Sequence, residues 1–318
     1  MRTKASCTGI LVFILMSGTF YGQERSNDFP VLKGPYLGQK PPGLTAEVFA
    51  PGIICTQNHE TMCGFLNGGT ILIYRSIPTD FDNSVDSPIP IYITKLKETI
   101  WSKPRLTKNL GKPWFHNLQS VPQSATYYYG EWNRDENGER LDLDIFKQHK
   151  TKSGWSDPEK LKYPINTDKF ESWPSTAKDG TLYFFSGRDG GVGKTDIYKS
   201  ELKNGEYKRV ENLGNSVNSE DHDHDPFIDP EERYLIFCST REGGSGKDDL
   251  YISFKTNEDT WSKAYNMGSN VNSEYIDNRP YMTPDGKYLF FVRVLNGNAD
   301  MYWVDAKIID KLKPDELK

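Results

Sequence analysis

Three observations predict an all-β chain built from one repeated unit. The stretches "ESWPSTAKDGTLYFFSGRDGGVGKTDIYKS" from Glu171, "DHDPFIDPEERYLIFCSTREGGSGKDDLYIS" from Asp223 and "DNRPYMTPDGKYLFFVRVLNGNADMYWVD" from Asp277 align with one another, and weaker copies begin at Glu60 and His116. A connector aromatic recurs at Trp101, Trp155, Tyr207 and Trp261, in steps of 54, 52 and 54 residues. Between these marks the pattern is one of alternating aromatic runs bounded by "KDG" and "PDG" turns, with no helical periodicity. A period of this length marks a solenoid, a propeller or an array. Four short antiparallel strands per unit point to a single β-propeller, in which each sheet hides its faces against its neighbours.

The chain opens with a targeting segment, residues 1–22. Arg2 and Lys4 precede the apolar run "GILVFILM", which is too short to span a bilayer but suits a secretory signal, with cleavage expected near Gly22. An exported protein, periplasmic or secreted, is therefore expected. Cys7 precedes the apolar run and so is no lipoprotein cleavage cysteine. An oxidising compartment permits a Cys55–Cys63 disulfide, while Cys238, inside "YLIFCS", reads as a buried packing residue.

Residues 23–33 form the next segment. Its "FPVLK" at 29–33 precedes a connector-like "GPYLGQ" whose Leu37-Gly38 matches Leu213-Gly214 and Met267-Gly268. Residues 29–33 are accordingly expected to supply the outer strand of the last blade, closing the ring and removing an exposed edge. The propeller is expected over 34–310, with a short tail at 311–318. The five copies predict five blades. A sixth is the alternative if the irregular 76–90 region hides further strands.

Within each unit an apolar segment leads to a turn, an aromatic strand such as "TLYFFS", a Gly-rich loop, a third strand such as "DIYKS", and a last strand around the connector aromatic. The loop "GRDGGVGKTD" imitates the end of a phosphate-binding loop at Gly193, Lys194 and Thr195. It lacks the required earlier glycine, because Arg188 stands there, and its twin "TREGGSGKDD" also lies between two strands with no helix following. A structural use is expected instead: Gly190, Gly191, Gly193, Gly243, Gly244 and Gly246 allow positive φ, and Asp196 and Asp249 cap the loop amides. Arg188 and Arg241 are expected to pair with neighbouring carboxylates.

One position recurs just before the innermost strand of every unit: Glu60, His116, Glu171, Asp223 and Asp277, in steps of 56, 55, 52 and 54 residues. Five-fold repetition places them around one mouth of the channel. Each carboxylate can accept hydrogen bonds from a connector and so fasten blades together. The other reading is a ligand-binding ring, which in carboxylate form would suit Ca²⁺ and its six to eight oxygens. His222 and His224 beside Asp223 add nitrogen donors that suit Zn²⁺ or Mn²⁺ better, although no partner stands at a zinc spacing.

The core "P-x-x-x-x-DG-x-L-Y-F-x-S", the "GG-x-G-x-x-D-[IL]-Y" element and the "LG-x-x-VNS" linker resemble the TolB-like, WD40-like propeller repeats of exported bacterial proteins. The lead-in "YLGQKPPGLTAEVFAPG" is similar to that of exported propellers of Bacteroidota. The resemblance covers about residues 34–306 and implies fold far more than function, because the family includes periplasmic scaffolds, carbohydrate-active proteins and propellers attached to peptidases.

The chain of 318 residues, 36% hydrophobic with a formal charge of −5, is expected to be globular and monomeric, without general affinity for nucleic acid. "GGSGK" lacks the final glycine of a nucleophile elbow, which argues against a serine hydrolase. The expected function is a binding module or scaffold engaging a protein or carbohydrate ligand at the channel mouth. The alternative is a polysaccharide lyase or glycoside hydrolase using the same mouth, with His116, Glu171, His222, Asp223 and His224 as its candidates.

Overall fold

The computed structural model describes residues 29–81, 89–107, 119–120, 126–137, 139–152 and 154–318. Residues 1–22, read above as a targeting segment, together with Cys7 and His116, lie outside the described residues. Five antiparallel blades of four strands follow one another along the chain, and in blades 1 to 4 the strands run in sequence order from the inside out. Blade 1 runs through His59–Leu66, Ile71–Ile77, Ile91–Lys97 and Arg105–Leu106; blade 2 through Gln119–Ser120, Thr126–Arg134, Arg140–Thr151 and Glu159–Lys160. Blade 3 comprises Glu171–Thr176, Leu182–Ser186, Asp196–Ser200 and Glu211–Asn212, and blade 4 comprises Asp223–Ile228, Tyr234–Ser239, Asp249–Phe254 and Tyr265–Asn266. Blade 5 has Ile276–Met282, Tyr288–Leu295 and Asn298–Asp305, with Glu47–Val48 as its outer strand. The architecture is the predicted five-bladed propeller.

Period-two alternation in the second strands builds the core. Leu182 and Phe184 pack toward blade 2, with Tyr128 and Ile145, whereas Tyr183 between them joins Leu235 and Phe237 of blade 4. Ile236 and Cys238 face Leu289 and Phe291 of blade 5, and Phe290 turns to Leu72 and Tyr74 of blade 1. Ile73 then packs on Tyr127 of blade 2. Five apolar clusters thus fill five junctions, and the aromatic runs are continuous because both faces of each strand are covered.

The closing strand differs from expectation. Glu47 pairs with Trp303 and Val48 with Tyr302, so the ring closes through Glu47–Val48 and not through residues 29–33. The physical reason is the next residue. Phe49 is fully buried against Phe65, Phe290 and Trp303, with ring centroids 4.9–6.4 Å apart, while Val31 is 69% exposed and offers no such anchor. Leu32 and Gly34 instead meet blade 1 at the tip of its third-strand hairpin, where the Trp101 amide donates to the Leu32 carbonyl and the Gly34 amide to that of Thr99.

The connector aromatics also sit one step earlier than expected. Trp101, Trp155, Tyr207 and Trp261 lie in or beside the hairpin that extends the third strand, and each outer strand begins four residues later, at Arg105, Glu159, Glu211 and Tyr265. Cys55 and Cys238 are free buried thiols, so no Cys55–Cys63 bridge forms. The Cys55 sulfur is held by the Met301 backbone, accepting from its amide at 3.2 Å. The chain ends in a short helix, Lys307–Leu312, not anticipated as a tail, whose Ile308 and Ile309 extend the junction between blades 4 and 5. Among the described residues no helix is long and apolar enough to cross a membrane.

Candidate functional site

The recurring acids Glu60, Glu171, Asp223 and Asp277 are all 0% exposed. Each accepts hydrogen bonds from a hydroxyl residue four positions earlier, in the segment arriving from the preceding part of the ring. Glu60 takes the Thr56 amide and hydroxyl at 3.1 and 2.7 Å, and Glu171 takes those of Thr167, both at 2.8 Å. Asp223 takes the Ser219 amide and hydroxyl at 2.5 and 2.8 Å, and Asp277 those of Ser273, both at 2.6 Å. Arginines complete three of them: Arg188 reaches Glu171 at 3.4 Å, Arg241 reaches Asp223 at 2.5 Å and Arg293 reaches Asp277 at 2.6 Å. These carboxylates fasten blade to connector, and no oxygen of the four meets solvent.

The Gly-rich loops are equally occupied. Asp196 accepts from the amides of Val192 and Gly193, as Asp249 does from those of Ser245 and Gly246, which is the expected cap. Positive φ is confined to Gly190 and Gly243. Gly193 and Gly246 are glycine for another reason, since a Cβ there would collide with the carbonyls of Ser219 and Asp221, or Ser273 and Tyr275, in the lead-in of the next blade. With the Lys194 and Lys247 amides bonded to the Asp221 and Tyr275 carbonyls, the loop joins blades, and the Gly193 and Lys194 amides, like those of Gly246 and Lys247, at positions that imitate a phosphate-binding loop, are already taken by protein oxygens.

Two residues beyond the acids of blades 3, 4 and 5 the innermost strand buckles. Trp173, Asp225 and Arg279 have φ of 53°, 50° and 57°, each is followed by proline, and the register with the second strand slips there in all three blades. Proline has no amide to give the ladder, so a bulge absorbs it and re-aims the side chain before it. Left-handed backbone at a bulky residue costs about 1–3 kcal/mol.

These three side chains converge. Arg279 of blade 5 lies over the ring of Trp173 of blade 3 at 5.6 Å, a contact between non-adjacent blades that crosses the inner end of blade 4, where Asp225 sits. His224 stands beside it, with Nδ1 3.3 Å from Asp225 Oδ1 and Nε2 3.3 Å from Asp248 Oδ1. Opposite His224 in register is Cys238, fully buried, and donor atoms of His224, Asp225 and Cys238 all lie within 4.8 Å of one another. Burial disfavours charge on His224, but Asp225 and then Asp248 outweigh it and push its pKa up to about 10. The Cys238 thiol is pushed up by burial and by the Asp248 and Asp225 carboxylates, against the nearby Arg279.

Of the ligand and metal candidates named from the sequence, the structure brings only His224 into this cluster, beside Cys238, which is buried as expected. Asp223 points away into its Ser219 and Arg241 contacts. His222 is exposed, 3.3 Å from the Thr195 hydroxyl, and its pKa is lowered by partial burial and by Lys194. Sequence reasoning missed Trp173, Asp225, Cys238, Asp248 and Arg279. One signal was available: if Asp223 opposes Ser239 as Glu171 opposes Ser186, then His224 must oppose Cys238.

No protein-family model matches the chain, and no curated protein is detectably similar to it in sequence. Among solved structures it is similar to a TolB-type protein of Agrobacterium tumefaciens, at 17% identity and a TM-score of 0.48, over 79% of this chain and 78% of that one. TolB of Acinetobacter baumannii is 13% identical with a TM-score of 0.45, over 77% of this chain and 54% of that one, so this chain spans about half its length. An α-L-arabinofuranosidase from Lactobacillus brevis is 12% identical with a TM-score of 0.48, over 78% and 90% of the two chains. What these proteins bind or cleave belongs to them.

Proposed function

We propose that the chain is an exported, non-enzymatic binding propeller whose protein or carbohydrate ligand docks where the innermost strands of blades 3, 4 and 5 converge. The observation that carries this reading is the contact of Arg279 with Trp173 from non-adjacent blades. Trp173 and Asp225 are buried, whereas His224, Asn278 and Arg279 keep part of their surface open. The buried pair would hold the three donors in place for a ligand, with the strained bulges fixing their aim. Ligand sites in general set a few convergent polar groups in an otherwise apolar concavity.

The test is calorimetric titration of the purified protein with a panel of oligosaccharides and peptides, alongside Arg279→Ala and with reducing-end release followed in parallel. Binding that Arg279→Ala weakens at least ten-fold, without product, supports the reading. Product release from a polysaccharide would make the carbohydrate-active alternative the correct one. Binding unaffected by Arg279→Ala would move the site off the channel.

A further inference from the structure

We propose that His224, Asp225 and Cys238 form a zinc site at the inner end of blade 4, with Asp248 as the residue that orients His224. The donor set comes first. A thiolate sulfur, an imidazole nitrogen and a carboxylate oxygen together suit Zn²⁺, and the sulfur argues against hard cations such as Ca²⁺.

The spacing agrees. Zinc bonds of about 2.0–2.3 Å at tetrahedral angles put neighbouring donors roughly 3.3–3.8 Å apart. The Nδ1 of His224 is 3.3 Å from Asp225 Oδ1, and with Cys238 Sγ the whole triad fits within 4.8 Å. The side chains need to draw in by about an ångström at most to share one ion.

Asp248 supplies a separate observation. It is 7% exposed, and its Oδ1 is buried without a hydrogen bond although His224 Nε2 lies 3.3 Å away. A buried carboxylate oxygen that pairs with His224 yet lacks a well-aligned hydrogen bond calls for an explanation, and a ring still to be fixed by an ion at Nδ1 is one. Metal-bound histidines commonly donate their second ring N–H to a carboxylate, which fixes the tautomer. Asp248 is placed to take that bond once metal binding at Nδ1 has fixed the ring. Asn278, whose side-chain amide reaches Asp248 Oδ2 at 3.5 Å, extends this outer layer.

Zinc ligation requires Cys238 as a thiolate and a bare lone pair at His224 Nδ1, so metal uptake releases protons. Three protein donors leave a fourth position, and the partly open His224 gives that position a route to the channel. The site stands independently of the binding role proposed above. Metal could sit here in a protein whose partner docks elsewhere.

The test is to strip the full-length purified protein with a chelator, titrate it with Zn²⁺ by calorimetry, and load a second sample with Co²⁺. One equivalent of zinc is expected, together with the near-ultraviolet thiolate-to-cobalt charge-transfer band, which requires sulfur ligation and needs no variant. Cys238→Ser should abolish the band, Asp225→Asn should weaken zinc binding, Asp248→Asn should weaken it roughly 10–100-fold, and His222→Ala should change nothing. Absence of stoichiometric zinc, or a cobalt spectrum without the thiolate band, would overturn the proposal and leave His224 as a cation held between two carboxylates. Zinc binding abolished by His222→Ala and kept by Asp225→Asn would place the metal elsewhere and equally overturn it.

Discussion

Replacing Asp223 by Ala should destabilise the propeller severely without touching any solvent-facing group. The carboxylate receives the Ser219 amide and hydroxyl and the Arg241 guanidinium, all within 2.8 Å, and is 0% exposed. Truncation strands these donors and leaves a buried cation. Removing one partner of a buried pair costs about 3–5 kcal/mol. Arg241 keeps the Val217 carbonyl at 2.7 Å and the Tyr251 ring at 4.6 Å, which favours the lower end of that range. At roughly 2–4 °C per kcal/mol for a domain of this class, about 3 kcal/mol is a fall of about 6–12 °C in Tm. Urea unfolding followed by tryptophan fluorescence would give the free energy, and scanning calorimetry the midpoint. Asp221→Ala is the internal control, because the Lys194–Asp221 pair two residues away is exposed and should leave stability near wild type. A loss below about 1 kcal/mol for Asp223→Ala would refute the claim that this repeated acid fastens the blades.

Three further outcomes follow from the same geometry. Phe49→Ala should cost about 3–5 kcal/mol by opening the aromatic cluster that anchors the closing strand, read by urea denaturation. Gly246→Ala should destabilise by about 1–3 kcal/mol through collision with the Ser273 and Tyr275 carbonyls, whereas Gly243, with open space around it, should lose only what its φ of 83° imposes. Cys55 and Cys238 should be unreactive to thiol reagents in the native protein and both should become reactive on unfolding, so mass mapping without reductant should find no disulfide at Cys55.

What the sequence made legible was whatever the fold repeats. The aromatic second strands, the acid before each innermost strand, the arginine pairing and the Asp196 and Asp249 caps all recur, so alignment of copies exposed them. The "VNS" linker belongs to the same class: Asn218 and Asn272 each clamp a third strand, bonding both the amide and the carbonyl of Ile197 or Leu250. The closing strand was misplaced because Leu37-Gly38 matches its counterparts in sequence and in the glycine φ, 71° against 73° for Gly214 and Gly268, but not in the turn around it: Leu37 itself has φ 61°, which neither Leu213 nor Met267 adopts. Burial of Phe49, a long-range effect, decided which strand closes the ring. Cys238 was read as packing because its partners His224, Asp225 and Asp248 come together only through the strand register and the bulge.

That contrast says where chemistry in this molecule should be sought. Fastening requires alike residues at equivalent positions, and the buried acids are alike. One and two residues further on, the blades diverge: Ser172-Trp173, His224-Asp225 and Asn278-Arg279 occupy the same bulge with the same left-handed backbone. Blade 1 departs from this pattern, with its register slip between Met62 and Gly64 and Gly64 at φ 146°. Three blades instead hold bulky, chemically different residues in a strained conformation and aim them at one place. The proline after each residue accounts for the bulge itself but not for side chains that differ from blade to blade; that difference fits the binding role proposed above, in which the repeat supplies position and each blade supplies a separate group.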